Sequence, residues 1–238
     1  MRYFVVIPAA GSGRRFSSSV PKQYASLCSS TVIEHALGIF EADADCAGIV
    51  VVVAPDDTLW PAIAARRSKL IESVHGGAER AHSVRNGVAA LATRATEKDW
   101  VMVHDAARPC FSSADLALLK RELASHSVGG LLAMPLADTL KRSVDAGSQG
   151  SHVESTLDRS GLWRAATPQV FRHALLLRAL DAALEAQRTP TDEAQAIEWI
   201  GQRPRLVAGR TDNIKVTTAE DLTLAAAILA SRSSKEKS

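Results

Sequence analysis

Cysteine is scarce in this chain: Cys28, Cys46 and Cys110 are all there is, far apart and without a Cys-x-x-Cys pair. An odd, scattered set excludes a disulfide framework and reads as reduced thiols of a cytosolic protein. The seven histidines show neither His-Glu-x-x-His nor paired spacing, so a zinc centre has little support. No apolar run has the length of a membrane span, and the opening segment stops at Pro8 without a signal-peptide cleavage pattern. A soluble, cytoplasmic protein is therefore expected. The net charge of +2 provides no broad basic surface for nucleic acid, so any basic site must be local. What is present is globular: 238 residues, 46% hydrophobic and 23% charged, with no internal repeat. That is enough for one domain over residues 1–238 with an excursion.

The chain is organised around Pro8-Ala-Ala-Gly-Ser-Gly-Arg-Arg-Phe16, closed by Val20-Pro-Lys-Gln-Tyr24. It follows Tyr3-Phe-Val-Val-Ile7, an apolar run that reads as a buried first strand of a parallel sheet. Gly11 and Gly13 let the backbone bring its N–H groups close to an anion. Arg14, Arg15 and Lys22 add cations to the same stretch. A phosphate site follows, but not a P-loop, since no Gly-Lys-Ser or Gly-Lys-Thr occurs in the chain. Phe16 stands where a dinucleotide fingerprint needs its third glycine, which disfavours an oxidoreductase.

Strands and helices then alternate, as a doubly wound, mostly parallel α/β sheet requires. Thr31-Val-Ile-Glu34 has the capping-box form and opens a first helix. Gly48 to Ala54 reads as a second central strand, followed by a helix near 59–68 and a short strand at 71–74. Gly76-Gly77 to Gly87 is a second special loop, with Arg80 and with Ser83 at a helix start. Trp100 to His104 is a third buried strand that delivers Asp105, Ala106 and Arg108 to a sheet's carboxyl edge, where Asp105 is placed to hold a phosphate-bound metal. Ser113 is expected to cap the next helix, and Gly129 to Pro135 is a strand. Residues from about 137 to 164 read as a β-hairpin arm too polar to stand alone, with a second subunit as its natural support. Later come a helix near 174–186, one opened by Thr191-Asp-Glu193, a strand at 205–208 and a last helix capped by Thr217 with Glu220.

The polar residues that stand out are Arg14, Arg15, Lys22, Arg80, Asp105, Arg108, Arg159, Lys215 and Asp212. No Ser/His/Asp or Cys/His nucleophile accompanies them. Attack by a phosphate monoester on a nucleoside triphosphate needs none, because the nucleophile is already anionic. It needs two repelling anions held in line and charge stabilised at phosphorus.

Pro-Ala-Ala-Gly-x-Gly-x-Arg followed by Pro-Lys-Gln resembles the signature of sugar-phosphate nucleotidyltransferases. With Gly-Gly-x-x-Arg-x-x-Ser-Val, His104-Asp-Ala-Ala-Arg-Pro109 and Leu162-Trp-x-x-x-Thr-Pro-Gln169, it is most similar to the 2-C-methyl-D-erythritol 4-phosphate cytidylyltransferase family. The resemblance implies a Rossmann-like nucleotidyltransferase fold with a dimerisation arm, CTP and methylerythritol phosphate as substrates, and magnesium or another divalent cation as cofactor. It implies that Ala9, Ala10, Gly11, Gly13, Arg14, Gly77, Arg80, Ser83, Asp105 and Ala106 surround CTP and its metal, with Asp105 as metal ligand. Arg15 and Lys22 would stabilise the transition state and Lys215 would approach the phosphates. Arg108, Thr139, Arg159, Thr167 and Asp212 would serve the polyol phosphate, those of the arm from a partner subunit in a homodimer. Two positions depart from the pattern: Phe16-Ser17 stands where many members have Met-Gly, and Ala78 where an acidic residue can help read cytosine. A ribitol 5-phosphate cytidylyltransferase and a non-catalytic nucleotide-binding module are the alternatives. The second should have lost Arg15, Lys22 or Lys215, and all three are present.

Overall fold

The computed structural model describes residues 1–11, Phe16, 20–145 and 150–235. The chain opens with β1 (Tyr3–Pro8), a 3₁₀ turn at Lys22–Tyr24, a small hairpin of β2 (Ser26–Leu27) and β3 (Ser30–Thr31), and α1 (Val32–Ala42). Next come β4 (Cys46–Val53), α2 (Trp60–Ala64), β5 (Leu70–His75), α3 (Arg80–Ala90), β6 (Trp100–Val103), α4 (Ser113–Leu123) and β7 (Gly129–Pro135). The last part holds β8 (Leu140–Asp145), β9 (Ser151–Leu157), β10 (Trp163–Arg172), α5 (His173–Glu185), α6 (Glu193–Trp199), β11 (Arg205–Ala208) and α7 (Ala219–Lys235).

Seven strands form one sheet in the order β11-β7-β10-β6-β1-β4-β5. β1 pairs in parallel with β4 and β6, β4 with β5, and β7 with β11. β10 alone runs against its neighbours β6 and β7. The apolar run of β1 has no polar face because both faces are covered. Tyr3, Val5 and Ile7 share a core with Ile33, Leu37 and Phe40 of α1 and Leu116 and Leu119 of α4. Phe4 and Val6 share the opposite core with Val84 and Val88 of α3 and Leu176 and Leu180 of α5. Each such side chain, fully buried, stabilises by about 1.5–3 kcal/mol, so the two cores hold the sheet between its helix layers. Gly87 lets α3 lie close: a β-carbon there would come 2.5 Å from a Val6 methyl and 2.8 Å from one of Val52.

Local signals decide the ends of elements. Glu34 reaches back to the Thr31 N–H at 3.0 Å, completing the expected capping box of α1. The cap of α4 is Ser112 rather than Ser113, since the Ser112 Oγ accepts from the Asp115 N–H at 3.1 Å. At α7 the carboxylate that closes the first turn is Asp221, not Glu220. It accepts from the N–H groups of Thr217 and Thr218 at 2.8 and 2.9 Å. Asp221 is the third helical residue, the position from which a side chain meets the cap backbone. α2 is shorter than the expected 59–68, ending at Ala64, and Arg67 beyond it turns back to Glu41 of α1 at 3.1 Å.

β8 and β9 form a separate antiparallel hairpin that joins no strand of the main sheet. Its apolar residues Val144 and Val153 are 51% and 64% exposed. No helix among the described residues is long and apolar enough to cross a membrane.

Candidate active site

Winding from β1 proceeds to β4 and β5 on one side, then jumps back to β6 on the other. Loops leaving the carboxyl ends of β1 and β6 therefore diverge, and a ligand crevice opens between them. A cavity of about 540 Å³ lies there. The loop after β1 contributes Ala9, Ala10 and Gly11, and the 3₁₀ turn contributes Lys22 and Gln23. From the β5–α3 loop come Gly77, Ala78, Arg80 and Ser83; Asp105 and Ala106 follow β6, and Lys215 follows β11. Gly13, Arg14 and Arg15 lie outside the described residues.

The two glycine loops touch because one of them lacks a side chain. A β-carbon on Gly76 would stand 2.4 Å from that of Ala10 and 2.8 Å from the Ser83 Oγ. Ser83 Oγ accepts the Gly77 N–H at 3.1 Å, fixing the second loop on the first turn of α3. Gln23, whose role the motif alone does not reveal, donates from Nε2 to the carbonyls of Ala9 at 2.8 Å and Gly11 at 3.3 Å. The Tyr24 hydroxyl donates to Asp57, which itself accepts from the Trp60 N–H at the start of α2. Lys22 is thus carried on a turn pinned from both sides.

Asp105 is the electrostatic centre. Its Oδ1 accepts from Arg80 Nη2 at 3.0 Å, and its Oδ2 meets Lys215 Nζ at 2.8 Å and Arg108 Nε at 3.6 Å. Burial works against its charge, but the cations Arg80, Lys215 and Arg108 outweigh it and hold the carboxyl well below the usual range. Behind Arg80 stands Glu193, 1% exposed, with Oε1 at 2.6 Å from Nη1 and Oε2 at 3.3 Å from Nη2. Burial pushes the Glu193 carboxyl up, and the pull of Arg80 offsets that only in part. In the sequence Glu193 stands out only as part of Thr191-Asp-Glu193, the opening of a helix.

Thr167 sits beneath this cluster. It is buried, and its Oγ accepts the Asp105 N–H at 3.0 Å while contacting His104 Nδ1 at 3.1 Å. His104 Nε2 faces the Arg108 carbonyl at 3.2 Å, an acceptor, so the ring proton belongs on Nε2 and the Thr167 hydroxyl donates to Nδ1. Burial lowers the His104 pKa to about 4, which keeps the ring neutral. Asn213 Nδ2 donates to the Thr167 carbonyl at 2.8 Å, and Arg108 Nη1 donates to the Asn213 carbonyl at 2.7 Å. Thr167 and Arg108 thereby support the wall of the cavity and do not line it.

The remaining expected substrate residues lie elsewhere. Thr139 and Arg159 are exposed on the arm, and none of the described residues of 137–164 lines this cavity. Arg159 donates to the Ala137 carbonyl in its own hairpin. Asp212 pairs with Arg210 and Arg232, each at 2.9 Å, beside a different cleft.

The start of a glycine loop, Lys22 beyond it and the ionised Asp105 lie together at the switch point of a mostly parallel sheet, the arrangement of a nucleotidyltransferase. Comparison with known proteins gives the particular kind. Residues 3–231 match the family model described as IspD, 2-C-methyl-D-erythritol 4-phosphate cytidylyltransferase. The chain is 50% identical over 221 residues to the protein of that name from Pseudomonas putida (strain GB-1), covering 92% of each. It is 50% identical over 233 residues to the one from Dechloromonas aromatica (strain RCB), covering 97% of this chain and 99% of the relative. Among solved structures, a 4-diphosphocytidyl-2C-methyl-D-erythritol synthase superposes with a TM-score of 0.83 at 41% identity, covering 96% of this chain and 99% of the other. The Francisella tularensis enzyme superposes with a TM-score of 0.78 at 32% identity, covering 96% and 100%. The chain belongs to the 2-C-methyl-D-erythritol 4-phosphate cytidylyltransferase family.

Proposed function

We infer that the chain transfers the cytidylyl group of CTP to 2-C-methyl-D-erythritol 4-phosphate and releases pyrophosphate. The observation that carries this reading beyond family membership is the cluster of Asp105, Arg80 and Lys215 opposite the Lys22 loop across one cavity. A phosphate oxygen of the polyol attacks the α-phosphorus of CTP; the new O–P bond forms as the bond to the β-phosphate breaks, and pyrophosphate carries away the negative charge. No base is needed, since the attacking oxygen is already anionic. Lys22 and Lys215 meet charge that grows on the transferred phosphorus and the leaving group, where one such donor contributes about 3–4 kcal/mol. Arg15 is assigned the same work on the family motif. Backbone N–H groups of Ala10 and Gly11 approach the nucleotide, and Ala78 leaves cytosine to be read by main chain.

A divalent cation suits this site. Among the described residues there is no group of three His, Cys, Asp or Glu side chains that could enclose a metal. Magnesium needs no such cage, because it takes one or two carboxylates and completes its shell with phosphate oxygens and water. Asp105, ionised and on the cavity wall, would hold it, and the bound cation would neutralise triphosphate charge. We further assign the arm to a second copy of the chain. In support, its valines are exposed and neither Thr139 nor Arg159 reaches the cavity of its own chain. Both would serve a partner's polyol phosphate. The test is pyrophosphate release from CTP, expected only with both the polyol phosphate and a divalent metal. Equal release in excess chelator would overturn the metal assignment.

A further inference from the structure

Arg80 lines the cavity, yet its donors are engaged by two carboxylates that come from distant parts of the sequence. Nε and Nη2 bond Asp105 Oδ1 at 3.2 and 3.0 Å, while Nη1 and Nη2 bond the two oxygens of Glu193 at 2.6 and 3.3 Å. Both Glu193 oxygens accept, so the side chain acts as a carboxylate. The guanidinium is planar and the two-point contact fixes its plane, which a single acceptor could not do.

Glu193 is itself held. It is the first residue of α6, whose cap Asp192 accepts the Gln195 N–H at 2.9 Å. Gln169, buried on β10, donates from Nε2 to Asp192 at 2.9 Å and accepts the Ala194 N–H through Oε1 at 2.7 Å. The same strand supports Asp105 through Thr167, two residues earlier. One antiparallel strand thus braces both carboxylates that grip Arg80.

We propose that Glu193 is a positioning residue which holds Arg80 against the nucleotide cavity, so that Arg80 keeps its place when Asp105 turns to the nucleotide and its cation. Asp105 has Lys215 and Arg108 as further partners, and any cation arriving with the triphosphate competes with them and with Arg80 for its oxygens. Without Glu193, Arg80 would lose its last anchor at that moment. With it, the guanidinium stays on the wall, and the Nε and Nη2 edge that Asp105 releases is free for the incoming phosphates. The proposal rests on the nucleotidyltransferase reading of this cavity.

The test is a double-mutant cycle read in kcat and in KM for CTP. Glu193→Gln keeps the shape but puts an amide where one oxygen accepted, and should lower kcat roughly tenfold with little rise in KM for CTP. Combined with Arg80→Ala, it should cost no more than about twofold beyond Arg80→Ala alone, because its effect passes through Arg80. Multiplying losses, or a Glu193→Gln enzyme at the native rate, would overturn the proposal. Arg80→Ala leaves Glu193 buried without its cation; if that chain does not fold, Arg80→Met, which keeps the packing of the stem but offers Glu193 nothing to hold, takes its place in the cycle with the same expectations. A native chain inert toward CTP and the polyol phosphate would instead refute the function itself, a different outcome from an active native enzyme indifferent to Glu193.

Discussion

Lys215 Nζ stands 2.8 Å from Asp105 Oδ2, although the one follows the edge strand β11 and the other the central strand β6. A single carboxylate therefore gathers cations from three parts of the chain, Arg80, Arg108 and Lys215, that would otherwise repel one another. It offsets part of their charge and leaves the site cationic for the substrate anions. The arrangement separates residues that act on phosphate from residues that keep those residues in place, and each kind fails differently when altered.

Lys22 belongs to the first kind. Lys22→Ala should lower kcat by about two orders of magnitude with the fold intact, since a cation on a pinned loop acts mainly on the transition state. Steady-state kinetics beside a thermal melt decide it. A change confined to KM would make Lys22 a uniform-binding residue.

Asp105 belongs to both kinds. Asp105→Asn should reduce activity by a hundredfold or more, on the order of 3 kcal/mol of barrier, and also lower the melting temperature. The amide leaves Arg80, Arg108 and Lys215 facing each other without a counter-charge. Near-normal activity at ordinary magnesium would remove Asp105 from the metal site.

The arm makes a prediction about mixtures. If Arg159 serves the partner's cavity, chains carrying Lys22→Ala and chains carrying Arg159→Ala are each inactive but complement one another. Random reassortment puts half the dimers in the mixed form with one native site of two, so recovery should approach roughly a quarter of native activity. No recovery, with subunit exchange verified independently, would return Arg159 to its own chain.

Far from the cavity, Lys120 joins Asp43 at 2.9 Å and also meets Asp45, while the Tyr3 hydroxyl donates to Asp43 at 2.8 Å. Partial burial pushes the Asp43 carboxyl up, but the hydrogen bonds from Lys120, the Asp45 N–H and Tyr3 outweigh it and hold it below the usual range. A depressed folded pKa means stability that is fully present above the ordinary aspartate value of about 4 and is lost as pH falls through the folded value. Lys120→Ala should cost about 1–2 kcal/mol at neutral pH, with a smaller penalty once the pH has fallen through the depressed folded value and Asp43 is protonated. Denaturant unfolding across that range measures it, and a penalty independent of pH would show that Lys120 acts by packing alone.

Much of this was legible in residues that act locally. The limits of β7 and β11, the capping box of Thr31 and Glu34, and the arm follow from pattern and turn chemistry within a few residues. Ala9, Ala10, Gly11, Lys22, Gly77, Arg80, Ser83, Asp105, Ala106 and Lys215 were named from motifs, and the fold brings them to one cavity. Position 193 was not legible as a site residue. An acidic residue in a first helical turn has an ordinary reason to be there, and only the approach of Arg80, 113 positions away, gives it another. β10 was hidden as a strand because Pro168 interrupts it, and the pairing with β7 shifts register between Ala165 and Gln169. The cap of α4 lies one residue before the expected Ser113, a difference that only the Asp115 N–H reveals.

The central claim is tested most directly by turnover with CTP and magnesium when 2-C-methyl-D-erythritol 4-phosphate and ribitol 5-phosphate are supplied separately, the product being identified by mass. The account predicts pyrophosphate and the cytidine diphosphate derivative of methylerythritol, with kcat/KM at least about tenfold above that for ribitol 5-phosphate, the scale on which pockets distinguish small differences in a substrate. Equal or faster turnover of ribitol 5-phosphate, or no pyrophosphate release with either, would contradict it.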